Sequence, residues 1–119
     1  MDIMRKIHLT IITENQNSKI KAKKLGHQIE NCNGNFKLIS IEKYFKNENS
    51  FQIDFEILLD SEKNNFMNEI LVYANKIVTP WLVYYKSNMD AELIFKKDEL
   101  SRFREDKFNV ISWMHIQCD

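Results

Sequence analysis

The chain has 119 residues, 44% hydrophobic and 29% charged, with 17 Lys+Arg against 17 Asp+Glu. That mix supports a folded core and excludes a disordered polyelectrolyte, while the zero formal charge argues against a general nucleic-acid binder, which is usually basic. No apolar run approaches the roughly 20 residues a membrane span needs, and the short apolar start after Arg5-Lys6 does not make a secretory signal, so one domain over 1–119 in the cytoplasm is expected.

Lys6–Thr13 reads as the first strand. Ile7, Leu9 and Ile11 alternate with His8, Thr10 and Ile12, which leaves both faces largely apolar and suits a central strand. The stretch 17–30 has two readings. Ser18 is placed to cap a helix, with Ala22, Leu25 and Ile29 at helical spacing; Gly26 and the sparse apolar stripe argue against one. Asn31–Asn35, containing Asn33-Gly34, reads as a loop.

Phe36–Phe45 and Phe51–Leu59 form a hairpin about the polar connection Lys46–Ser50. In its second strand Phe51, Ile53, Phe55, Ile57 and Leu59 face inward and Gln52, Asp54 and Glu56 face out, the pattern of an antiparallel sheet with one solvated face. A helix over 61–78 follows, with Phe66, Met67, Ile70, Leu71, Tyr73, Ala74 and Ile77 in one stripe. Glu62 and Lys76 suit its dipole, and Pro80 stops it. Trp81–Lys86 and Ala91–Lys96 form a second hairpin around Ser87–Asp90. Asp98 starts a short helix to Arg104, carrying Leu100 and Phe103, and Asn109–Gln117 is the last strand.

The order is β-α-β-β-α-β-β-α-β. It predicts an α+β fold, a mostly antiparallel sheet with two or three helices packed on it. The first six elements match the ferredoxin-like order and the last three extend it. An unrelated antiparallel sheet crossed by the 61–78 helix is the alternative.

The chain holds only Gly26 and Gly34, so no glycine-rich loop cradles a phosphate and no nucleotide cofactor is expected. His8, His27, His115, Cys32 and Cys118 show no CxxC, HxxxH or HExxH spacing, so no metal is expected. A disulfide would tie a mid-chain loop to the C-terminal end; two free thiols fit better. No nucleophile elbow is present and Cys118 sits at the chain end. His8 and His115 become neighbours, and an acid–base pair, if the first and last strands pair. The chain is otherwise read as not an enzyme, with a small-ligand-binding or enzymatic α+β domain as the alternative.

The RNA-recognition module shares the ferredoxin-like order but needs aromatics and a glycine on its central strands. Here Phe51–Ile57 exposes acids instead. Charge is laid out unevenly. Residues 1–24 carry six Lys/Arg and two acids, net +4, and residues 51–70 carry one Lys and five acids, net −4. Lys19, Lys21, Lys23 and Lys24 read as a solvated helix face, with contact to phosphate as the alternative. Asp54 and Glu56 share a strand face about 7 Å apart. Trp81, Tyr84, Tyr85 and Trp113 exceed what one helix covers, so they are either core of a sheet covered twice or an exposed aromatic surface of the kind interfaces favour.

In size, α+β layout, Asn/Lys-rich and Ala-poor composition, and lack of catalytic motifs, the chain resembles the cytoplasmic immunity proteins of bacterial contact-dependent growth inhibition and related polymorphic toxin systems. The resemblance spans the whole chain and carries no residue-level motif. It implies a specific complex with one cognate toxin protein, often a nuclease, and no direct contact with nucleic acid or membrane. Nucleases present basic clefts, so Asp54, Glu56, Asp60, Glu62 and Glu69 are the expected partner-binding residues, acting by charge complementarity.

Overall fold

A computed structural model describes residues 5–32, 34–59, 66–87 and 90–118. The fold is α+β. Among these residues the order is β1 (Arg5–Thr13), α1 (Lys19–Cys32), β2 (Phe36–Lys43), β3 (Phe51–Leu59), α2 (Phe66–Asn75), β4 (Val78–Thr79), β5 (Leu82–Ser87), β6 (Asp90–Lys96), β7 (Arg102–Phe103), a 3-10 turn (Asp106–Val110) and β8 (Ile111–Cys118). Six strands form one sheet in the order β2-β3-β1-β8-β6-β5, and every adjacent pair is antiparallel. β4 and β7 make a separate two-stranded ladder.

It follows that β1 and β2 run parallel with β3 between them, and β3 and β8 run parallel with β1 between them. This is the split β-α-β arrangement of a ferredoxin-like core. Its fourth place is taken by β8 and not by the strand that follows α2. The β5–β6 hairpin is instead added beyond β8, which widens the sheet on that side.

Strand parity explains the layering. β3 alternates buried and partly exposed residues along its whole length. Leu9 and Ile11, Ile53 and Phe55, Leu93 and Phe95, and Met114 and Ile116 all point to one face and are buried. Both helices lie on that face. Ala22, Leu25 and Ile29 of α1, and Phe66, Ile70 and Ala74 of α2, join the same apolar cluster. Phe36, at the start of β2, stacks edge-on to Tyr73 of α2 with ring centroids 6.0 Å apart.

Residues 19–32 are helical. The Ser18 hydroxyl accepts the Lys21 N–H at 3.3 Å, a helix N-cap. Gly26, which weakens the helix in the sequence, is where α1 comes closest to the sheet. A Cβ there would lie 3.3 Å from both Leu38 methyls.

Several boundaries differ from the sequence reading. β2 ends at Lys43, and Phe45 is exposed, because the chain turns early: Tyr44 N–H bonds Ser50 O, and Asn47 N–H bonds Tyr44 O. The helical stretch ends at Asn75, where Lys76 and Ile77 N–H groups bond three residues back and Val78–Thr79 leaves to pair with β7. The proposed start of that helix at 60–65 lies outside the described residues. The helix expected from Asp98 to Arg104 is absent. Asp98 Oδ1 does accept the Leu100 N–H at 2.8 Å, but as a turn. Phe103 then packs on Phe95, 5.7 Å between centroids, and Arg104 N–H bonds Ile77 O.

β8 starts two residues late, at Ile111, and contains an extra residue. Ser112 bulges between the Thr13–Ile111 and Ile12–Trp113 pairs, its hydroxyl bonding Ile12 O at 3.0 Å. The bulge puts Ile111, not Val110, on the covered face beside Met114. Cys32 and Cys118 are free thiols.

Candidate functional site on the open face of the sheet

The second face of the sheet has no helix over it among the described residues. Register sets out its rows. One row crosses Lys37, Glu56, His8, Gln117, Glu92 and Tyr84; the next crosses Ser40, Asp54, Thr10, His115, Ile94 and Leu82; a third carries Glu42, Gln52, Ile12, Trp113 and Lys96. Charged, amide, hydroxyl and aromatic side chains share this surface with the apolar Ile12, Ile94 and Leu82.

Asp54 is the polar hub. Its Oδ1 accepts the Thr10 hydroxyl at 3.0 Å and lies 3.3 Å from His8 Nε2. Its Oδ2 accepts the Ser40 hydroxyl at 3.2 Å and the Gln52 amide at 3.1 Å. Three adjacent strands are thereby tied through one carboxylate. Ser40 reaches it only because β2 is bulged between Leu38 and Ser40, which returns Ser40 to the open side. Two strands away, His115 Nε2 sits 3.1 Å from Glu92 Oε1, and the Trp113 ring lies against the His115 ring at 5.7 Å between centroids.

β1 and β8 do pair, which makes His8 and His115 diagonal neighbours, one strand and two residues apart, a separation of about 7–8 Å. Each imidazole presents Nε2 to its own carboxylate. The relay that activates a nucleophile runs from hydroxyl to imidazole to carboxylate. That order is not built here, since Thr10 and Ser40 both donate directly to Asp54.

The five acidic residues singled out in the sequence separate. Asp54 and Glu56 share the open face. Glu69 is on α2, on the other side of the sheet, and accepts the Tyr73 hydroxyl. Asp60 and Glu62 lie outside the described residues. Asp54 is engaged by its own chain, whereas Glu56 is flanked by Lys37 and His8 in its row and stays partly exposed. Glu92, Trp113, Ile94 and Tyr84 join this surface only through the β8-β6-β5 pairings.

The aromatic residues divide between the two expectations. Trp81 is partly buried, its Nε1 donating to Val78 O at 2.8 Å and its ring 5.9 Å from Phe95. Tyr84 and Tyr85 are exposed. The four lysines of α1 stay on the helix side, so the basic helix and the acidic pair of β3 do not meet. Lys21, Lys24 and Lys107 line a shallow groove of about 220 Å³ there, with Gln16 and Gln28. Burial pushes the Cys32 thiol up from its ordinary value, and Glu105 adds to the shift.

Among the described residues, no three His, Cys, Asp or Glu side chains converge as a metal site, and no helix is long and apolar enough to cross a membrane. Comparison with protein-family models, curated proteins and solved structures finds no match to this chain.

Proposed function

We propose that the chain is a cytoplasmic protein-binding inhibitor of the immunity type, which neutralises a cognate toxin by docking it on the open face of the sheet. The observation that carries this reading is the face itself: six strands wide, free of both helices, and mixing Trp113, Tyr84, Leu82 and Ile94 with Glu56 and Glu92. Aromatic anchors beside acidic groups suit a protein partner with a basic surface, and a nuclease cleft is such a surface. Within the acidic set, Glu56 is a contact group and Asp54 a positioning group that fixes His8 and Thr10 in place.

The test is calorimetric binding to the product of the gene adjacent to its own, at two salt concentrations. Glu56→Lys with Glu92→Lys should weaken the complex by more than about tenfold and flatten its salt dependence. No complex, or one unaffected by the double substitution, would refute docking through this face.

The two histidine–carboxylate pairs favour a second reading, an acid–base or small-ligand site on the same face. A ligand that raises the melting temperature of the protein, but not of the His8→Ala, His115→Ala variant, would select it over protein docking.

A further inference from the structure

The two edges of the large sheet are built differently. The β2 edge is guarded by a bulge at Ile39, by exposed Lys37, Glu42 and Lys43 and by α1 packed along it. Such an edge resists the addition of another strand. β5 carries its one charge and its register irregularity only at its far end, at Lys86, and the run before it is unguarded. Leu82, Val83, Tyr84 and Tyr85 follow one another without a charge and are 58%, 43%, 51% and 58% exposed. Among the described residues its ladder partner is β6 alone, so its outer row of backbone groups has no ladder partner there.

Parity assigns Leu82 and Tyr84 to the open face and Val83 and Tyr85 to the helix side, where both nonetheless stay exposed. A helix or loop laid on one side would cover half of this set. A strand added at the edge covers both halves and satisfies the backbone, provided that it is apolar on both of its own faces. β5 is itself such a strand, and β2, the other edge, is not.

We propose that β5 pairs antiparallel with β5 of a second copy, joining two sheets into one across a twofold axis. Residues facing each other across an antiparallel ladder share a face, so a symmetric register must centre on a residue. Centring on Val83 sets Val83 against Val83, Leu82 against Tyr84 and Trp81 against Tyr85, an unbroken apolar seam. Lys86 then lies beyond it, opposite Pro80, whose missing N–H ends the ladder. Centring on Tyr84 would press Lys86 onto Leu82. The structure therefore assigns the Val83 register.

The four side chains expose on the order of 400 Å² per copy, so the joined surface falls at the small end of specific interfaces. The dimer is accordingly weak and concentration-dependent. It leaves the open faces of both copies on the same side and shares Leu82 and Tyr84 with the proposed docking face, so it is tested on the chain alone, without a partner.

Sedimentation velocity from low to several hundred micromolar tests this on the full chain. The wild type should shift from monomer to dimer. Leu82→Lys with Tyr84→Lys, at exposed positions, should raise the dissociation constant by more than about tenfold with an unchanged circular dichroism spectrum. In a Cys32→Ala background, Val83→Cys should give dimers with a short bismaleimide crosslinker, and Ile39→Cys on the other edge should not. A monomer at every concentration, a dimer indifferent to the two lysines, or equal crosslinking from both edges would overturn the proposal.

Discussion

The two faces of the sheet are made by alternate residues of the same strands, yet they are held in different ways. On the covered face Leu9, Ile53, Phe55, Leu93 and Ile116 are buried against the helices and one another. Their order comes from exclusion of water and close packing. On the open face the order comes from directed polar contacts, chiefly the four groups converging on Asp54 and the His115–Glu92 pair. A face fixed by packing resists change and stores stability. A face fixed by hydrogen bonds at its centre, with side chains such as Glu56 partly exposed, tolerates change more readily.

Substitutions should reproduce that difference. Phe55→Ala removes a fully buried ring at the middle of the covered face, and denaturant unfolding should show a loss of about 3–5 kcal/mol; a loss under 1 kcal/mol would mean the packing around β3 is loose. Asp54→Ala strips one acceptor from Thr10, Ser40, Gln52 and His8 together. Because the site is only part-buried, the loss should be about 1–3 kcal/mol, with the fold retained by circular dichroism.

Thiol chemistry probes the covered side from a different direction. With its pKa raised, Cys32 holds less thiolate near pH 8 than a free cysteine, and Cys118 is fully buried. Native protein should react with iodoacetamide several-fold more slowly than unfolded protein, and the gap at Cys32 should narrow as the pH rises through its elevated pKa. The smallest effect belongs to the open face. Glu56→Lys should leave stability within about 0.5 kcal/mol, since Glu56 stays partly exposed on the open face; a larger loss would make it a structural residue.

The covered face was largely legible from the strand pattern. Phe51, Ile53, Phe55, Ile57 and Leu59 read as inward, and the structure buries all five. What the pattern does not encode is register. Single-residue bulges at Ile39, midway along β2, and at Ser112, near the start of β8, reverse parity, placing Ser40 on the open face and Ile111 in the core. Gly26 misleads because its helix-weakening effect is local, while the space it leaves for Leu38 is a tertiary matter. The helix expected from Asp98 does not form: Asp98 accepts the Leu100 N–H within a turn, and Phe103 packs on Phe95 instead.

The site was legible in part. Asp54 and Glu56 share a face by spacing alone, and His8 meets His115 only once β1 and β8 are known to pair. Glu92 requires the β6–β8 register, and the separation of Glu69 from the others requires knowing which side α2 covers. Non-local pairing decides each of these.

The most direct measurement of the central claim is the affinity of the Glu56→Lys, Glu92→Lys variant for the protein encoded beside it, taken with its unfolding curve. The account predicts an unfolding free energy close to wild type and binding weakened by more than about tenfold, with a shallower salt dependence. Wild-type affinity in a folded variant would contradict it, and would remove the open face as the docking surface.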